Sequence, residues 1–104
     1  MAIDVQISGS VAHIQMSGQF NFQVHRAFKD AYAALLENAA IKEIKVEMSK
    51  LDYIDSSALG MLMLLNERAK AAGKSITLLN ASGMVMQVLE VANFGRIFNI
   101  KQAM

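Results

Sequence analysis

The chain has 104 residues, 54% of them apolar and 18% charged, with a net charge of +1 at neutral pH. This is one domain with enough apolar material for a core and no charge bias toward nucleic acid or an acidic membrane. With no cysteine, disulfides, thiolate metal sites and a cysteine nucleophile are excluded, and the longest apolar run, Met61–Leu65, falls far short of the ~20 residues of a membrane span. Asp4 near the amino terminus argues against a signal peptide. The pattern is that of a cytoplasmic protein.

In chain order, residues 3–7 (IDVQI) alternate with period two, so Ile3, Val5 and Ile7 share a face and the segment is a strand. Ser8-Gly9-Ser10 is a turn. VAHIQMSG follows, with Ala12, Ile14 and Met16 on one face, which makes a hairpin. Asn21 is placed to cap a helix, and Val24, Phe28, Ala31 and Leu35 form its apolar stripe before an end at Asn38. KEIKVEMS (42–49) alternates again, with Ile44, Val46 and Met48 inward; Glu43, Lys45 and Glu47 then lie on a half-exposed face or near an edge.

A helix over 57–72 stops at Gly73, and SITLLN (75–80) is a strand. Ser82 is expected to cap a third helix, MVMQVLEVANF (84–94), with Val85, Val88, Leu89 and Ala92 inward and Gly95 as its stop. RIFNIKQAM closes the chain as a short strand and a frayed tail. The order β-β-α-β-α-β-α has no linker or repeat. It predicts a single α/β domain with a mixed four- to five-stranded sheet and helices mainly on one face.

The second helix carries too much apolar surface for one packed stripe. Ala58, Met61, Leu62, Leu65, Ala69 and Ala72 account for the inward face, yet Leu59, Met63 and Leu64 remain, all toward its amino-terminal half. Two readings follow: deep burial of this end under neighbouring helices, or a docking patch where Gly60 and Met63 let a partner approach closely. Asp55, Ser56 and Ser57 stand immediately before this patch. Each is a competent cap residue, and a helix amino terminus also tolerates a phosphate, whose charge of about −1.5 to −2 would oppose docking beside it.

The segment Tyr53-Ile54-Asp55-Ser56-Ser57-Ala58-Leu59-Gly60 resembles the signature of the STAS domain, the fold shared by sulfate transporters and anti-sigma factor antagonists. The resemblance extends over essentially the whole chain, including the third helix introduced by Asn80-Ala81-Ser82. It implies an anti-sigma factor antagonist of a partner-switching system. In such systems the unmodified antagonist binds an anti-sigma factor that is also a serine kinase with a histidine-kinase-like ATPase fold. Phosphorylation releases it, and a serine phosphatase restores it. Carried onto this chain, the phosphoacceptor is Ser57, Asp55 and Ser56 shape the loop, and Asn21, Gly60 and Met63 join the partner-binding surface. The family's Gly-Glu-Leu-Asp before the first helix is here Gly18-Gln19-Phe20-Asn21, which keeps a cap and loses a charge. The motif's usual glycine is Ala58, which favours helix by up to ~1 kcal/mol. A non-switching STAS scaffold, or a subunit of a lipid-transport complex, is the alternative within the family.

Catalysis finds no support in the residues. No Gly-x-Ser-x-Gly elbow is present, His13 and His25 are expected on solvated faces without metal-ligand spacing, and the glycines are too scattered for a phosphate loop. The expectation is a monomeric binding protein without metal, cofactor, nucleic-acid or membrane partner, because the apolar excess is local.

Overall fold

The structure, a computed structural model, describes residues 2–102. Strands β1 (Ala2–Ser8) and β2 (Val11–Phe20) form an antiparallel hairpin. Gly9 turns it with a φ of +61°, a left-handed value that costs glycine little. A 3-10 turn (Phe22–Val24) leads into α1 (His25–Glu37), followed by β3 (Glu43–Ile54), α2 (Ser56–Ala71), β4 (Ser75–Leu79), α3 (Gly83–Val91), a second 3-10 turn (Phe94–Arg96) and β5 (Asn99–Lys101). The strands lie side by side in chain order, β1-β2-β3-β4-β5, and from β2 onward every neighbouring pair is parallel.

That order dictates the layers. Each parallel crossover steps one strand in the same direction, so right-handed connections put all three helices on one face. The burial pattern agrees. Ala12, Ile14, Met16, Ile44, Val46, Met48, Ile76 and Leu78 belong to one buried cluster with Phe28, Tyr32, Leu35, Leu62, Leu65, Val85 and Leu89 from the helices. His13, Gln15, Glu43, Lys45 and Glu47 on the opposite face are half-exposed. β3 is therefore a central strand with one open face, which settles the placement of its charges. Two of them are tied across that face: Glu43 accepts from Thr77 Oγ1 at 2.8 Å, and Glu47 accepts from Asn80 Nδ2 at 3.0 Å.

α2 ends as its sequence predicts. Gly73 takes a φ of +72°, its N–H donates to Lys70 O at 3.1 Å, and Lys74 N–H reaches Ala69 O at 2.8 Å, the paired bonds of a Schellman cap. The Lys74 side chain is buried, and its Nζ donates to Ile41 O at 2.7 Å and Asn38 O at 2.9 Å, so one ammonium fastens the α1–β3 connection to the α2–β4 turn.

Several expectations need correction. β3 runs on to Ile54, beyond the alternating segment, because two register shifts against β2 break the period and bury Met48, Leu51 and Ile54 three residues apart. Val5 and Ile7 share the sheet face of Ile14 and Ala12, their register partners, but remain exposed because β1 is the edge strand and the helices leave them uncovered. Ala72 sits at the C-cap and is exposed. Val24, Ala31, Val88 and Ala92 lie at the margins of the core, half-buried. Ser82 occupies the N-cap position of α3 without a capping side-chain hydrogen bond, and α3 ends at Val91 because Asn93 turns left-handed at a φ of 59°. His25 is exposed, with its ring stacked on Phe22 at 5.4 Å, whereas His13 is half-buried on the open sheet face. Of the expected carboxy-terminal tail, Ala103 and Met104 lie outside the described residues.

Candidate functional site

Side chains of the sequence motif meet at the carboxyl ends of β2 and β3. Phe20 pairs with Ile54 in register, and Asp55 N–H donates to Phe20 O at 3.3 Å, so Asn21 and Asp55 leave neighbouring strands side by side. Asn21 Oδ1 accepts from Gln23 N–H at 3.0 Å. It thus caps the 3-10 turn that feeds α1, one turn earlier than α1 itself begins. The carboxyl ends of parallel strands are where helix amino termini, with their unpaired N–H groups, converge.

Asp55 is the N-cap of α2. Its Oδ1 accepts from Ala58 N–H at 2.9 Å and from the Ser57 hydroxyl at 2.6 Å. The Ser57 hydroxyl bond, with the backbone N–H groups of Ala58 and Ser57, holds the Asp55 carboxyl below its ordinary value, against a smaller opposing effect of desolvation. Ser57 is thus a half-buried hydroxyl in a fixed rotamer, while Ser56, the preceding residue, points to solvent.

The helical repeat assigns the rest of α2. Ala58, Met61, Leu62, Leu65 and Ala69 form the buried stripe. Opposite lies a ridge of Ser56, Gly60, Met63 and Glu67, all exposed. Ser57 and Leu64 fall on the flank shared with Arg68, which acts electrostatically on Tyr32 of α1; Leu59 falls on the other flank, toward α3. Met63 is 43% exposed and Leu64 36%, and they line a shallow groove with Gly60, Asn66, Glu67 and Lys70. A Cβ built on Gly60 meets nothing within 4 Å, so packing inside the domain does not demand glycine there. Of the three surplus residues, Leu59 is half-buried against the core, as the deep-burial reading expects, whereas Met63 and Leu64 are exposed with Gly60, as the open-patch reading expects.

All six site residues expected from sequence, Asn21, Asp55, Ser56, Ser57, Gly60 and Met63, are on one end or one ridge of the molecule. Asn21 belongs to the neighbouring strand end, beside the Asp55 cap and not on α2 itself. Sequence reasoning missed Phe22, which is 68% exposed beside Asn21, and Tyr53, exposed just before the motif. It also missed an apolar groove between α2 and α3, lined by Leu59, Val88, Val91 and Ala92 with Gln87. The signal for that groove was present: Leu59 fitted no stripe, and Val91 lay on the wrong side of α3 for the core. Among the described residues no group of three or more His, Cys, Asp or Glu side chains could hold a metal ion, and no helix is long and apolar enough to cross a membrane.

A mixed five-stranded sheet with three helices and a capped, hydroxyl-bearing helix terminus defines a class of small α/β domain. The family model described as Mlab, STAS domain, matches residues 3–100, and the chain belongs to the STAS-domain family. A STAS-domain containing protein of Pseudomonas aeruginosa (strain UCBPP-PA14) is 39% identical over 94 residues, spanning 88% of this chain and 89% of that protein. Among solved structures, a putative anti-sigma factor antagonist from Thermotoga maritima superposes with a TM-score of 0.85 at 22% identity, covering 98% of this chain and 86% of that one. The anti-sigma factor antagonist SpoIIAA in its unphosphorylated form gives a TM-score of 0.79 at 17% identity, over 99% and 90% of the two chains. The phosphorylated form of the Bacillus cell fate determinant SpoIIAA gives 0.78 at 17%, over 99% and 92%. These likenesses establish the fold, a single α/β domain with a five-stranded mixed sheet and three helices.

Proposed function

We propose that this protein is a non-catalytic anti-sigma factor antagonist whose docking surface is switched by phosphorylation of Ser57. The observation that carries the reading is the Ser57 hydroxyl held by Asp55 at 2.6 Å, at the head of a helix whose outer ridge exposes Gly60 and Met63. The unmodified form binds a partner, an anti-sigma factor with serine-kinase activity and a histidine-kinase-like ATPase fold, through Asn21, Asp55, Ser56, Ser57, Gly60 and Met63. In the kinase reaction the Ser57 hydroxyl gives up its proton and its Oγ bonds the γ-phosphorus of ATP as the bond to ADP breaks. A serine phosphatase reverses the modification by hydrolysis. The protein acts in the cytoplasm.

The physics of the switch is local. The phosphorylated oxygen has no proton to donate, so the bond to Asp55 is lost and a charge of about −1.5 to −2 arrives beside that carboxylate. The positive end of the α2 dipole stabilises this charge in the isolated domain. Against an apolar partner surface the same charge has to be desolvated, which opposes docking. The fold survives and the complex does not.

The experiment is an intact mass of the protein from its own cells, with and without phosphatase, followed by peptide mapping and by binding of both forms to the partner. One phosphate on Ser57 and at least a hundredfold weaker binding, about 2.7 kcal/mol, is the expected result. Ser57→Ala is expected to bind constitutively. Equal affinities of the two forms would sink the switch, and a protein never phosphorylated across growth conditions would point to a non-switching scaffold or transport-complex subunit.

A further inference from the structure

The two edges of the sheet are protected very differently. β5 is only three residues long, one of them Lys101, and so offers little to another strand. Among the described residues β1 has a neighbour on one side only, β2, and its other side is open over seven residues, Ala2–Ser8. Exposed edges are ordinarily blunted by lysine, proline, bulges or shortness. β1, with the sequence AIDVQIS, has no lysine and no proline, and its pairing with β2 runs without a register shift. On the face that the helices cover elsewhere, Val5 is 40% and Ile7 54% exposed.

We infer that β1 pairs with β1 of a second copy of this chain, antiparallel about a two-fold axis normal to the sheet, joining two sheets into one. Side chains directly opposed in such a pair lie on the same face, so only registers that set odd residues against odd residues keep the apolar face continuous. Only registers centred on Asp4, Val5 or Gln6 keep most of the strand paired. Centring on Asp4 sets two carboxylates against each other and shortens the ladder. Centring on Gln6 shortens it equally. Centring on Val5, the midpoint of Ala2–Ser8, uses the whole strand. It sets Val5 against Val5 of the other copy, Ile3 against Ile7, and Asp4 against the neutral Gln6. The interface is isologous, and the net charge of +1 offers little repulsion between copies.

Its size sets its strength. One strand edge with Val5 and Ile7 gives a patch below the ~1,200 Å² of a standard stable interface, so the dimer is weak and concentration-dependent. This departs from the monomer expected from sequence, where the only apolar excess recognised was on the second helix. β1 is separated from β3 by β2, so pairing leaves the Ser57 end open, and the inference stands independently of the switch.

The test uses the full chain, in which no native cysteine interferes. Sedimentation equilibrium from about 10 μM to about 1 mM is expected to show a monomer–dimer equilibrium, with Val5→Lys raising the dissociation constant at least about tenfold at an unchanged urea midpoint. Val5→Cys places two thiols across the axis within disulfide reach and is expected to cross-link with oxidised glutathione; Ile7→Cys alone is not, whereas an equimolar mixture of Ile3→Cys and Ile7→Cys is. A monomer throughout that range, a dimer insensitive to Val5→Lys, or cross-linking indifferent to position would each overturn the inference.

Discussion

Removing the Asp55 side chain is expected to weaken the domain by about 1–2 kcal/mol. In Asp55→Ala, the Ala58 N–H loses the acceptor at 2.9 Å and the Ser57 hydroxyl the one at 2.6 Å. Loss of an N-cap costs about 1 kcal/mol, and loss of a negative charge at a helix amino terminus a further ~0.3–1 kcal/mol. Urea denaturation followed by far-UV circular dichroism at pH 7 measures the sum, and for a domain of this size each kcal/mol also lowers Tm by about 4–8 °C. Asp55→Asn separates the two contributions, because its carbonyl oxygen still caps while the charge is gone, and it is expected to lose only the ~0.3–1 kcal/mol of the charge.

The pH dependence of the same pair gives a second reading. The folded-state pKa of Asp55 is depressed below the ordinary 3.8, chiefly by the Ser57 hydroxyl. The unfolded chain therefore binds the proton more readily. The stabilisation from the carboxylate is complete above that ordinary value and is lost as the pH falls below it through the folded-state value. The advantage of the wild type over Asp55→Asn should accordingly shrink in acid. If Asp55→Ala stays within about 0.3 kcal/mol of wild type, the cap is not stabilising; if Asp55→Asn is as weak as Asp55→Ala, the charge and not the acceptor holds the helix start.

Two further substitutions test the ridge. Gly60→Ala should stabilise the isolated domain by about 0.5–1 kcal/mol, since glycine inside a helix carries that penalty and the added Cβ meets open space, yet weaken partner binding by filling the point of close approach. A destabilised Gly60→Ala domain in the same denaturation assay would mean the glycine serves the fold. Met63→Lys should leave stability within about 0.5 kcal/mol while titration calorimetry shows the partner bound more weakly; unfolding would refute its placement on the exposed ridge.

Much of this molecule is legible from its residues, for identifiable reasons. Period-two alternation in 3–7, 11–18 and 42–49 marks strands because side chains alternate between sheet faces, and Gly73 marks a helix end because it accepts a left-handed φ at little cost. Asp55-Ser56-Ser57 declares a helix start because only short polar side chains reach the free N–H groups of the first turn. The extension of β3 to Ile54 was hidden because bulges against β2 replace the local period, and bulges depend on the neighbouring strand.

Exposure is the other quantity that local sequence does not set. Ile3, Val5 and Ile7 carry the same alternation as Ala12, Ile14 and Met16, yet one strand lies at the edge and the other inside the sheet. Leu59, Met63 and Leu64 were surplus to a stripe in either case; which of them faced solvent depended on where α1 and α3 came to rest against α2. Short-range pattern therefore marked where most elements lie and placed Asp55 at the head of α2. Strand order and helix placement decided which apolar side chains stayed uncovered, because burial depends on residues far away along the chain.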